Sequence, residues 1–117
     1  MNVNINDRER YIPTACGNDK DESPIVFNLR FLTVGEIDEE EYYEVKNIGK
    51  NKIVGKVNRK DLFARGVESI ENCIVNGKPI ETAADFLAVR GSKKLALIMQ
   101  DVADHLHAAS EIDEKNS

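Results

Sequence analysis

The chain has no tryptophan, and aromatic residues make up only 6% of its 117 residues. A core drawn from such a composition is expected to rely on Leu, Ile and Val. Cysteine is nearly missing too: Cys16 and Cys73 allow at most one bridge, and without an export signal both are expected as reduced thiols. No apolar run approaches the ~20 residues that span a bilayer, and residues 1–11 are polar and charged, unlike a secretory signal. A cytoplasmic setting without membrane contact follows as the expectation. Positive charge is also in deficit, with 16 Lys and Arg against 21 Asp and Glu, a net charge of -5. That balance argues against a broad nucleic-acid face, which draws its affinity from clustered Lys and Arg. Finally, the chain lacks G-x-S-x-G, a P-loop and H-E-x-x-H, so the patterns that announce common hydrolases and nucleotide enzymes are absent.

What is present suits one small α+β domain, with three to four helices, an N-terminal strand and a β-hairpin in the C-terminal half. Residues 1–23 are rich in Asn, Asp, Lys and Glu and read as a flexible arm. Residues 24–112 form the domain, and residues 113–117 read as a charged, disordered tail. Within the domain, Ile25, Phe27, Leu29 and Phe31 alternate with their neighbours as in a strand with one buried face. Thr33 and Glu36 have the spacing of a capping box, predicting a helix with Val34, Ile37, Val45 and Ile48 as its inner stripe and Gly49 as its stop. Residues 50–57 read as a loop or weak strand. Asn58 and Asp61, then Thr82 and Asp85, repeat the cap spacing, and Ser92 opens a last amphipathic helix carrying Leu95, Ile98, Met99, Val102, Leu106 and Ala109 on one face. Between these helices, Asn76-Gly77 predicts a type I′ hairpin in which Val75 faces Lys78, Ile74 faces Pro79 and Cys73 faces Ile80.

Reactive constellations are sparse. A cysteine with His105, or Asp101 with His105 one helical turn apart, is the best that can be assembled, and the second pairing is more simply a surface helix pair. Metal ligands at close spacing are missing, because His105 and His107 point to different sides of a helix. No catalytic, metal or cofactor site is expected. Lys50, Lys52, Lys56, Arg59 and Lys60 form the one basic cluster, without interleaved aromatics.

The order of signals resembles the tail assembly chaperones of long-tailed bacteriophages. The residues that carry the resemblance are Phe27, Leu29, Phe31 and Leu32 in the strand, Thr33 and Glu36, Arg65-Gly66-Val67, the hairpin Asn76-Gly77-Lys78-Pro79-Ile80, and the C-terminal helix over residues 95–110. The resemblance implies a non-catalytic protein of the host bacterial cytoplasm that binds a tape measure protein, recruits tail tube subunits and self-associates as a homo-oligomer. An incompletely buried apolar face along the hairpin edge or the last helix would serve such binding. Ile74, Pro79 and Ile80, with Leu95, Ile98, Val102 and Leu106, are the candidate contact residues, against the simpler reading that the helix residues are core. Two other functions fit the same composition: a tail structural or connector component retained in the virion, and a small nucleic-acid-binding regulator using residues 50–60.

Overall fold

The computed structural model describes residues 7–36, 45–48, 51–54 and 58–115. It is a single α+β domain whose principal sheet has three antiparallel strands in the order β1 (Arg8–Tyr11), β2 (Val26–Arg30), β5 (Val67–Glu71). Strands β3 (Val45–Ile48) and β4 (Asn51–Val54) pair with each other, as do β6 (Ile74–Val75) and β7 (Lys78–Pro79). The helices are a 3-10 helix (Ala15–Lys20), α1 (Arg59–Gly66), α2 (Ala83–Leu87) and α3 (Lys93–Lys115).

β2 is the central strand, and its inward residues set the core. Phe27 and Leu29 point inward and are paired with Ile70 and Val67 of β5. Val67 and Ile70 are three residues apart, which strict alternation would place on opposite faces. A register shift between Asn28 and Leu29 leaves Glu68 without a partner in the ladder and brings both apolar residues inside. Against this face pack Phe63 of α1, Phe86 of α2, and Ile98, Val102 and Leu106 of α3.

The expectation that the core relies on Leu, Ile and Val is corrected here. Phe27, Phe63 and Phe86 meet at its centre, with ring centroids 5.7, 5.5 and 5.1 Å apart. The first two contacts, both from Phe27, are edge-to-face, the arrangement favoured by the ring quadrupole. Three of the seven aromatics thus concentrate where β2, α1 and α2 meet.

The helix starts follow their caps. Asn58 accepts from the Asp61 amide at 3.0 Å, Thr82 from that of Asp85 at 3.1 Å and Ser92 from that of Leu95 at 3.1 Å. At Thr33 the reciprocal box is complete: its hydroxyl accepts from the Glu36 amide at 3.2 Å, and its own amide donates to Glu36 Oε1 at 3.0 Å.

Three expectations are corrected. Over the described part of residues 1–23, the chain is not an arm: β1 pairs with β2 from Arg8↔Arg30 to Tyr11↔Phe27, and Pro13 and Asn18 are buried. Asn18 ties the loop shut, donating to the carbonyls of Pro13 and Ile25 and accepting from the Ile25 amide. The helix expected from Thr33 is helical at 34–36, but Val34 is 86% exposed, and Val45 and Ile48 belong to β3. β-branched residues on both sides of Gly49-Lys50 favour this pairing over helix; Ile37 and Gly49 lie outside the described residues. Last, α3 continues to Lys115, into the stretch read as a tail, in a run free of Gly and Pro.

Candidate protein-contact surfaces

The hairpin forms as its sequence dictates. Asn76 and Gly77 both take positive φ, 52° and 75°, as a type I′ turn requires. Ile74 pairs with Pro79 and Val75 with Lys78, and the Ile80 amide donates to the Cys73 carbonyl at 2.7 Å. Pro79 therefore occupies a position where its lack of an N–H costs no ladder bond. The ribbon is anchored at its base, where the Ile70 amide donates to the Glu81 carbonyl at 2.9 Å, and Ile80 and Cys73 are buried. Its outer part is not: Ile74 is 70% exposed and Pro79, Lys78 and Asn76 are exposed beside it.

The candidate contact residues thus separate. Ile74 and Pro79 are on the surface; Ile80 is buried. Ile98, Val102 and Leu106 are completely buried against β2 and α1, and Leu95 packs on the edge of the same core, so this face of α3 is not a contact surface. Its stripe is satisfied within the domain. Leu97, on the other side of the helix, is 40% exposed.

Two polar residues of the last helix, Asp101 and His105, face the N-terminal segment, which sequence reasoning missed. Asp101 accepts from the Tyr11 hydroxyl at 2.6 Å and from the Ala15 amide at 2.9 Å. His105 Nε2 lies 2.7 Å from Glu9 Oε2, and its ring stacks on Tyr11 with centroids 3.9 Å apart and planes nearly parallel. Asp101 and His105 are used separately to hold β1 and the 3-10 helix, rather than as a pair with each other. Burial, followed by the bond to Asp101, pushes the Tyr11 phenol above its ordinary value, so it remains a donor at neutral pH. Only the alternation Glu9, Tyr11 in residues 1–23 hinted at an inward face, and it is too short to separate from chance.

No reactive centre comes together among these groups. Burial pushes the Cys73 thiol up, away from the thiolate form a nucleophile needs, and no hydrogen bond joins either cysteine to His105. Among the described residues, no three His, Cys, Asp or Glu side chains gather as a metal site. In the basic cluster, Arg59 is held by Asp104 at 2.8 Å and Lys60 is exposed; Lys50 and Lys56 lie outside the described residues. No described helix is long and apolar enough to cross a membrane. Comparison with known proteins finds no matching protein family, no matching curated protein and no matching solved structure.

Proposed function

We propose that this chain is a tail assembly chaperone of a long-tailed phage or prophage, acting without catalysis in the host bacterial cytoplasm. In this reading it holds a tape measure protein and recruits tail tube subunits until the tube polymerises. The observation that carries the reading is the hairpin, which presents Ile74 and Pro79 on a ribbon fixed at its buried base. An exposed apolar edge anchored at its base can pack against a helical apolar stripe and be displaced again without chemistry. The sequence resemblance supplies the identity of the partners.

The test is a pull-down of the tagged chain from a lysate that makes both tape measure and tail tube proteins. At least one is expected to co-purify, and Ile74→Asp is expected to lower its recovery about tenfold while the circular dichroism spectrum is unchanged. Recovery of neither protein contradicts the proposal. Presence of the chain in purified mature particles contradicts it as well, because a chaperone leaves before the virion is complete.

A further inference from the structure

The tip of the hairpin carries a chemistry of its own. Asn76 is the one asparagine in the chain that is followed by glycine. The carboxamide carbon of an asparagine lies within reach of the next residue's backbone nitrogen, and joining the two closes a five-membered ring. A side chain on that next residue crowds the closure, and Gly77 has none. Both residues are exposed, and a Cβ built at Gly77 would meet no atom within 4 Å, so no packing holds this peptide in place.

Hydrogen bonding sets Asn76 apart from other asparagines of the domain. The side chains of Asn18, Asn28, Asn58 and Asn72 are each engaged in hydrogen bonds. Among the described residues, the Asn76 side chain has no such partner, and neither has the Gly77 amide. The turn is closed by strands of only two residues each, so it opens more readily than the base of the ribbon, where Ile80 and Cys73 are buried.

We infer that Asn76 is a site of spontaneous deamidation, and that the reaction ends the type I′ turn. In the opened turn, the Gly77 nitrogen gives up its proton to solvent base and attacks the side-chain carbonyl carbon of Asn76. The new C–N bond closes a succinimide as the bond to the amide nitrogen breaks, and that nitrogen leaves as ammonia with a proton from water. Water then opens the ring: addition at the side-chain carbonyl gives aspartate, and addition at the main-chain carbonyl gives isoaspartate. No group is oxidised or reduced. Isoaspartate routes the main chain through its Cβ, and the lengthened backbone does not fit a two-residue turn. The Val75–Lys78 pair is then lost, while the bonds at the base, from Ile70 to Glu81 and from Ile80 to Cys73, remain. The inference concerns the turn's covalent chemistry and holds whatever the ribbon binds.

The test holds the full chain in buffer below its unfolding transition and follows it by peptide-mapping mass spectrometry with an isoaspartate-specific methyltransferase assay. Asn76 is expected to convert at least about tenfold faster than Asn18, Asn28, Asn58 or Asn72, because the glycine lowers the barrier to ring closure. Conversion is expected to be at least about tenfold faster at pH 8 than at pH 6, since the attacking nitrogen must lose its proton. The product carries one added negative charge and separates by ion exchange. In its isoaspartate fraction the Lys78 amide is expected to exchange at least about tenfold faster than in the parent chain, with the Ile80 amide still protected. Conversion at Asn76 no faster than at the other four, aspartate without isoaspartate, or an isoaspartate fraction with an unchanged Lys78 amide overturns the inference.

Discussion

Gly66 shows how a single side-chain atom is excluded. A Cβ built there would lie 2.5 and 2.8 Å from the two methyl carbons of Leu106, which is fully buried and has little room to turn. Gly66→Ala adds helix propensity worth up to ~1 kcal/mol in an open helix interior, but overpacking a closed contact costs ~1–3 kcal/mol. The second effect is larger, so the variant is expected to lose about 1–2 kcal/mol in urea denaturation; a gain would mean that α1 and α3 are not in close contact at this point. Glu36 makes the residue-scale case for electrostatics. The Thr33 amide, then Arg30, hold its carboxyl below the ordinary carboxylate range. A depressed folded-state value stabilises the fold above the unfolded-state pKa, and that contribution is lost as pH falls through the folded-state value. Glu36→Gln keeps a capping-box acceptor but removes the charge, and is therefore expected to cost about 1 kcal/mol at pH 7 and progressively less in acid. A difference from wild type that does not shrink between pH 7 and pH 3 contradicts this role of the Glu36 charge.

The elements that were legible in the sequence are those specified by residues a few positions apart. The caps at Thr33, Asn58, Thr82 and Ser92 and the Asn76-Gly77 turn are local hydrogen-bonding and backbone devices, and each forms where its spacing indicates. β1 was not legible, because its stability comes from partners far along the chain: Leu29 and Phe27 across the ladder, Asp101 and His105 on α3. The β3–β4 pair was read as helix followed by a loop or weak strand because the strong cap at Thr33 sets a beginning but says nothing about where a helix ends. The attachment of β1 is itself testable. Asp101→Ala leaves the Tyr11 hydroxyl and the Ala15 amide without their shared acceptor in a half-buried site, a loss of ~1–3 kcal/mol. Faster hydrogen exchange is expected over residues 8–20 with β5 unaffected; equal loosening of β5 would show that β1 and the core open as one unit.

Across the whole molecule, the apolar residues expected to bind a partner through the last helix are consumed by the domain itself. Ile98, Val102 and Leu106 complete the core that Phe27, Phe63 and Phe86 begin, whereas Ile74 on the outer hairpin is, with Val34 and Leu97, a large apolar residue left exposed among the described residues. Sequence periodicity identified the stripe on α3 but could not say whether its partner was internal. A stripe of this kind looks the same in either case. The proposed partner binding at the ribbon edge is tested most directly by methyl and amide NMR of the labelled chain, titrated with a tape measure or tail tube protein. The Ile74 methyl signals and the Val75 and Lys78 amides are expected to shift or broaden first, while those of Ile98 and Val102 stay in place. Shifts confined to other surfaces, or spectra unchanged by either protein, would contradict it.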